Sequence, residues 1–562
     1  MRAKRCLAFL LLACLMIPTF GCTLFKDDQQ DTTETDPVSS DSVSSEGEQT
    51  TPNAEPVYLV KDGTAQFEIV CVDKNYWSVA LSLQQNLKQK TGVAFEAYRF
   101  ERTDSTLNKI FIASDYNAVA NNSTALAVEG YCAVVINGNI HLCGYKEEKI
   151  SRCVQKFSSG IPNNCAVTDA NGKISVILPE TALFFNQPDY PYINATLLNT
   201  HISNYSVVLS QDASRSESVV VNAFQNEVKI QTGFLLNTVA YGEAVAGQRI
   251  SLGKTVSENS AQVITDPLYY CIQSSEKGLY IGYGSVIALN EAFKQVHTLY
   301  KQSANSPISV TKTLEDSYGV RKKDSGDIRV MSSNVLFYDS STSLTDYRDR
   351  VALLLDCYRL FKPDFIGLQE AYTVMRPAIL EALADQYAEV SVNWSAQTNR
   401  FDIPLLYRKD LYRVEESGYK YTGGCYGYTW ARFTKISTGE QIIVMNLHYH
   451  YKSTEDRLPQ CRVVNTELER LAAAYPNIPI AVTGDYNSGI DSEEHKTMVG
   501  TLDLKSGVLV AQEKGADQFG YGVDHVYVST QLVTVKLHRA VIYEAFRGSS
   551  DHVPIFVDLV IK

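Results

Sequence analysis

The stretch Ile480-Ala481-Val482-Thr483-Gly484-Asp485-Tyr486-Asn487 ends an apolar run on an acid and an amide two residues apart. At the end of a strand, residues i and i+2 face the same side, so Asp485 and Asn487 can share one site. A carboxylate that takes a proton, beside an amide that holds an oxygen, is equipment for activating water. Gly-Asp-x-Asn is also an ordinary turn, so its meaning depends on the rest of the chain.

Other apolar runs in the last part of the chain also end on polar groups. Ile328 to Ser332 runs into Ser333-Asn334, and Phe365-Ile366-Gly367-Leu368 into Gln369-Glu370. The predicted strand Gln441–Asn446 leads to Asn446-Leu447-His448, and Val523-Asp524-His525 and Ser550-Asp551-His552 flank later runs. Between them, Tyr347, Val351, Leu354, Leu355 and Tyr358 recur at helical spacing. Further helices are predicted over Pro377–Tyr387 and Leu458–Tyr475, and strands over Ile403–Tyr407 and Trp430–Ile436. Each polar residue has a plain alternative. Asn334 can cap a turn, Glu370 can pair with an arginine, His448 can sit satisfied in a core, and Asp551-His552 can be a surface turn. Six strand ends that each supply an acid, an amide or an imidazole are better explained as a pocket at one edge of packed sheets.

The series resembles the endonuclease/exonuclease/phosphatase superfamily, with its deoxyribonuclease-I-like fold. The matching residues are Asn334, Gln369-Glu370, Asn446-x-His448, Gly484-Asp485-Tyr486-Asn487, Asp524 and Ser550-Asp551-His552, in the family's order, over residues 327–562. The resemblance implies a four-layer α/β sandwich, two packed mixed sheets flanked by helices, and metal-dependent cleavage of a phosphate ester. On these positions it makes Glu370 the main metal ligand, helped by Asn334 and Asp551, with Mg²⁺ or Mn²⁺ as the hard cation that oxygen ligands suit. It has Asp485 and Asn487 activate the water, and His448 stabilise charge on the phosphoryl oxygens. His552 contacts phosphate or acts as acid/base, with Asp524 on its other ring nitrogen. The chain departs from the family at His450, where an Asp is usual, at an extra His525, and at Tyr486 in place of Phe; the two histidines tune substrate choice or fill space.

Composition bounds the rest. The chain has 562 residues, 45% hydrophobic and 20% charged, with a formal charge of −12. That length calls for several domains, and the fold class expected is multidomain α/β. Residues 327–562 carry 30 acids against 24 lysines and arginines, so strong salt-dependent binding to a phosphate backbone is disfavoured. Arg400, Arg432 and the aromatic, glycine-rich stretch Tyr419–Tyr428, read as a loop, remain means of contact with bases, sugars or lipid.

At the other end, Arg2, Lys4 and Arg5 precede an apolar segment from Leu7 to Ile17. Thr19-Phe20-Gly21-Cys22 then resembles a bacterial lipoprotein signal, although Thr19 stands where leucine is usual. It implies lipidation of Cys22 and anchoring on the extracellular face of the cell membrane. A plain secretory signal is the alternative. Residues 23–56 are polar, with nine acids and no lysine or arginine from 27 to 56, which reads as a disordered acidic tether.

Residues 57–195 and 196–310 form an internal repeat with Thr91-Gly92 and Thr232-Gly233 in equivalent places, 141 residues apart. Each copy reads strand–helix–strand, hairpin, helix: an α+β module. Cys132 and Cys143 flank a hairpin in the first copy and either pair or stay free. The modules resemble small non-catalytic α/β domains that accompany catalytic domains in carbohydrate-active enzymes, including β-hexosaminidases. That leaves two roles open, scaffold or glycan contact. Residues 311–326 are expected to be a linker and 327–562 the catalytic domain. Two functional readings follow: a membrane-tethered metal-dependent phosphodiesterase or nuclease, or a surface lipoprotein that captures glycans or another ligand with an inactive hydrolase fold.

Overall fold

The computed structural model of the protein describes residues 56–99, 105–116, 125–316, 320–340, 343, 345–391, 403–423, 426–499, 502–515, 522–546 and 548–562. Cys22, the signal segment, the tether up to Glu55 and Arg400 lie outside the described residues. Val57–Lys562 forms one compact unit.

Two six-stranded sheets repeat one topology. The first runs, edge to edge, Phe184–Asn186, Tyr131–Ile136, Asn139–Gly144, Asn108–Ile112, Phe67–Cys71, Ala97–Tyr98. The second runs Ser309–Thr313, Tyr269–Ser275, Gly278–Tyr283, Gln248–Gly253, Tyr205–Val208, Asn237–Val239. In both, the first two pairings are antiparallel and the last three parallel. The helices Trp77–Thr91 and Arg215–Thr232 end alike. Gly92 and Gly233 take φ of 75° and 82°, a left-handed stop that suits glycine. Thr91 and Thr232 each return their hydroxyl to the carbonyl four residues back, at 2.8 and 2.7 Å.

The strand Ser309–Thr313 moves a boundary. A linker is expected from residue 311, yet Val310, Thr311 and Lys312 pair antiparallel with Ile272, Cys271 and Tyr270. The run Ser-Val-Thr-Lys-Thr is β-branched at alternate or adjacent places and completes the sheet edge. The second sheet's helices also share a core with the next domain: Phe224 and Phe293 belong to the same buried cluster as Leu354 and Tyr358. Arg215 pairs with Asp349, and Ser216 donates to Asp356, across that contact. The described cysteines, Cys132 and Cys143 included, are free thiols.

The C-terminal domain is a four-layer α/β sandwich. One sheet runs Tyr387–Glu389, Leu405–Arg408, Phe365–Gln369, Ile328–Asn334, Ile555–Ile561, Val533–Ala540, Glu513–Lys514. The facing sheet runs Tyr412–Gly423, Tyr426–Lys435, Gln441–His448, Ile480–Asp485, Asp524–Ser529, Leu504–Ser506. Strands here are buried on both sides, which is why they read as continuous apolar runs. Val330, Phe365, Val444 and Ala481 meet between the sheets. Met331, Ile366 and Leu368 face the helix Tyr347–Phe361 through Leu354 and Tyr358. Ile443, Met445 and Val482 face the helix Thr454–Ala474 through Val464, Leu468 and Leu471. The stretch Tyr419–Tyr428 is a long antiparallel hairpin apart from residues 424–425, which are not described. Its tyrosines alternate with polar residues and glycines, a strand pattern that its glycines obscure.

Candidate active site

Parallel and antiparallel pairing bring the polar strand ends to one edge of the sandwich. Asn334 lies opposite Gln369, His448 opposite Asp485, and Asp485 opposite Asp524. The two sheets are stitched just below that edge by buried amides. Gln369 Nε2 donates to Asn446 Oδ1 at 2.7 Å, and Asn446 Nδ2 donates to the carbonyls of Leu368 and Pro404 at 2.7 and 3.0 Å. Gly367 permits this approach: a Cβ there would lie 2.5 Å from both Asn446 Oδ1 and Thr483 Cγ2. Gln369 and Asn446 thus hold the frame while Glu370, one residue on, and His448, two residues on, reach the site.

Asp485 is the centre. Its Oδ2 accepts from Asn334 Nδ2 at 2.9 Å and lies 3.5 Å from His448 Nε2 and 3.8 Å from His552 Nε2. Its Oδ1 accepts the Asn487 N–H at 2.8 Å, and Asn487 Nδ2 reaches the Tyr449 carbonyl at 2.8 Å and His448 Nε2 at 3.2 Å. Glu370 accepts from Asn334 Nδ2 at 3.2 Å on one oxygen and from the Phe337 N–H at 3.0 Å on the other. Glu370 and Asn487 have φ of 58° and 49°. For a glutamate this left-handed backbone is strained, and strain of that kind gathers at functional sites.

His552 Nδ1 meets Asp524 Oδ2 at 2.7 Å. Burial pushes the Asp524 carboxyl up to about 6, against the hydrogen bond from His552. Burial would lower His552, yet its bond to Asp524 and the charges of Asp524, Asp485 and Asp551 raise it to about 10. The pair rests as imidazolium and carboxylate, because three carboxylates favour the charged ring and only burial opposes it. Asp524 Oδ1 remains buried with no hydrogen-bond partner.

Among the described residues, two groups bring ligand atoms within 4.8 Å of one another: Glu370, His448 and Asp485, and Asp485, Asp524 and His552. A buried carboxylate oxygen without a donor, on Asp524 beside Asp485, fits a cation. The expected ligand set is assembled differently. Asn334 turns its amino group to Glu370 and Asp485, while its oxygen accepts the Leu336 N–H at 2.9 Å. An NH₂ cannot ligate a metal, so Asn334 here bridges two carboxylates. Asp551 is exposed, accepts from Ser550 Oγ at 3.4 Å, and belongs to neither group.

The two extra histidines separate. His525 is buried beneath the site, edge-on to His495 with ring centroids 4.4 Å apart and against Tyr486, and burial together with His495 lowers it to about 3. It fills space. His450 lies in an aromatic wall beside Tyr426 and the exposed Tyr451, at 4.8 and 5.1 Å between centroids.

Arg350 is a site residue that sequence reasoning missed. It is buried and donates to the carbonyls of Val335, Leu336 and Ser549, fixing the turn that carries Phe337 and the approach to Ser550. Ser550 Oγ in turn donates to the Asn334 carbonyl at 2.7 Å. Its signal was present: an arginine on the apolar stripe of Tyr347, Val351 and Leu354, where only a paired charge is stable.

Residues 331–552 match the family model described as Endonuclease/Exonuclease/phosphatase family. Among solved structures, similar ones include a Bacteroides thetaiotaomicron mannosyl-6-phosphatase, 20% identical, covering 42% of this chain and 99% of that one with a TM-score of 0.37. An endonuclease/exonuclease/phosphatase family protein from Bacteroides vulgatus is 21% identical over 42% and 99%, TM-score 0.38. The human Nocturnin catalytic domain is 19% identical over 43% and 96%, TM-score 0.36. No curated protein matches the chain. Residues 331–552 are a domain of the endonuclease/exonuclease/phosphatase family.

Proposed function

We propose that the protein is a divalent-metal-dependent hydrolase of phosphate esters, with phosphodiesters, nucleic acid among them, as the leading substrates. The observation that carries this is the convergence of Glu370, Asp485 and Asp524 with two imidazoles at one strand edge. Glu370 would hold the metal, Mg²⁺ or Mn²⁺, close to Asp485 and His448, which keep the separate roles given below. Bound there, the cation would neutralise charge developing on the phosphoryl oxygens.

Asp485 takes the proton of the attacking water, and Asn487 holds that carboxylate through its N–H. The water oxygen bonds to phosphorus as the bond to the leaving oxygen breaks. His552, kept protonated by Asp524, donates to a phosphoryl oxygen or to the leaving group. Its Nε2 is on the Asp485 side, so acid and base address one substrate atom cluster. His448 adds a second donor to the phosphoryl group. For location, the motif at Cys22 supports a lipid-anchored protein on the outer face of a bacterial membrane.

The test uses the chain without its signal segment, since residues 215–232 and 347–361 share a core. A bis-aryl phosphodiester, an aryl phosphomonoester, DNA, RNA and phospholipid are offered with Mg²⁺ or Mn²⁺. Turnover of a phosphate ester that chelator abolishes is expected. Turnover that survives chelation, or is unchanged in Glu370→Ala, overturns the metal mechanism. Failure on every ester favours a surface binding protein.

A further inference from the structure

The two repeated sheets differ on the face that carries no helix. Pairing places Ser206 and Arg249 where the first copy has Glu68 and Lys109, and Ser251 and Tyr280 where it has Phe111 and His141. In the first copy these positions fill the face. Glu68 and Lys109 form a buried ion pair at 2.9 Å, and Phe111 stacks on His141 with centroids 5.0 Å apart. In the second copy the carboxylate and the large ring are both replaced by serine. What results is a groove of about 1130 Å³, floored by Arg249, Ser251 and Tyr280. It adjoins a second hollow of about 560 Å³ that also uses Arg249, Glu258 and Tyr280.

The groove holds unused hydrogen-bonding capacity. Ser251 is 8% exposed, and its buried Oγ has no partner. Arg249 pairs Nη2 with Glu258 at 2.7 Å, while its buried Nε has no partner. A buried polar atom without a partner is destabilising unless a ligand or water supplies one. The formal charges along the lining cancel: Asp212, Glu243 and Glu258 against Arg249, Lys254 and Lys277. An ionic ligand would therefore gain little net attraction. Tyr241, 60% exposed, offers a ring at the rim.

We propose that this groove binds a neutral, hydroxyl-rich ligand, a segment of carbohydrate chain. Sugar hydroxyls would accept from Arg249 Nε and exchange hydrogen bonds with Ser251 Oγ, and a sugar's C–H face would lie on Tyr241. The site is separate from the strand edge that gathers Asp485, and the proposal stands whether or not that edge hydrolyses phosphate.

Affinity electrophoresis of the chain without its signal segment tests it, in gels holding soluble neutral polysaccharides (β-glucan, mannan, xylan) or anionic ones (heparin, alginate). Retardation by at least one neutral polysaccharide is expected. Ser251→Phe, which imports the first copy's ring, weakens it at least tenfold. Tyr241→Ala, a surface change that does not threaten folding, weakens it at least threefold, with thermal midpoint unaltered. Retardation by no neutral polysaccharide, retardation by anionic ones alone, or retardation indifferent to Tyr241→Ala overturns the proposal.

Discussion

The C-terminal sandwich holds charge at both ends of the strand Ile328–Asn334, and the two ends handle it differently. At the start, Arg329 is fully buried and meets Asp558 through two bonds of 2.6 and 2.7 Å. Its Nη1 donates to the Phe361 carbonyl at 2.6 Å, and its guanidinium carbon lies 4.2 Å from the Phe556 ring centroid. Here each charge has its opposite, and the arrangement is closed. At the far end, Glu370, Asp485 and Asp524 gather about the His552 imidazolium, one oxygen of Asp524 lacks a donor, and Glu370 has a left-handed backbone. Buried charge that is balanced serves the fold. Buried charge left unbalanced is held ready for something that arrives.

Substitutions at the two ends should therefore separate activity from stability. The largest effect is expected for Asp485→Asn. Removal of the base should lower kcat by about 10²–10⁴-fold, while the thermal midpoint holds or rises as like charges are relieved. A midpoint that falls in step with activity would place Asp485 with the structural charges instead. Next is Arg329→Met, which strands Asp558. It should cost about 3–5 kcal/mol in denaturant unfolding, with kcat of the folded fraction unchanged; a selective loss of kcat would erase the contrast between the ends. Gly367→Ala comes third. Its methyl group collides with Asn446 and Thr483 and should cost about 1–3 kcal/mol. It should also lower activity, because the amide stitch sets the height of both strand ends.

The smallest effect is a pH shift. His552 is raised to about 10 by Asp524, Asp485 and Asp551, so its imidazolium persists well above the ordinary range of the ring. Being raised in the folded state, it contributes stability that is complete below the unfolded value of about 6.5. That contribution is lost as pH rises toward 10. In Asp524→Asn the alkaline limb of kcat against pH should move down, toward the ordinary imidazole value. An unmoved limb would mean that another group governs it.

Much of this arrangement was legible in the chain. Apolar runs that end on Asn334, Glu370, His448 and Asp485 marked buried strands, and their polar ends had few other uses. The repeat at Thr91-Gly92 and Thr232-Gly233 was legible because a glycine that ends a helix is a local demand. The hairpin Tyr412–Lys435 was harder, because Gly418, Gly423 and Gly427 look like turn residues until a partner strand pairs with them. The strand Ser309–Thr313 was lost for a similar reason: as an edge strand it has only one partner, far away in sequence.

Which residue types stand at the ends of which strands is already written in the chain, since apolar runs and helix stripes are local consequences of burial and period. So is the repeat of two α+β units. How those ends combine depends on three-dimensional packing. It turned the Asn334 amide nitrogen toward Glu370 and Asp485, left Asp551 outside the cluster, sent His525 into the core and recruited Arg350 from a helix. It also decided that one copy of the repeat fills its open face with Phe111 while the other leaves a groove above Ser251. The reason is geometric: a side chain's direction and its partners come from segments far apart in sequence, brought together by packing that no local pattern records.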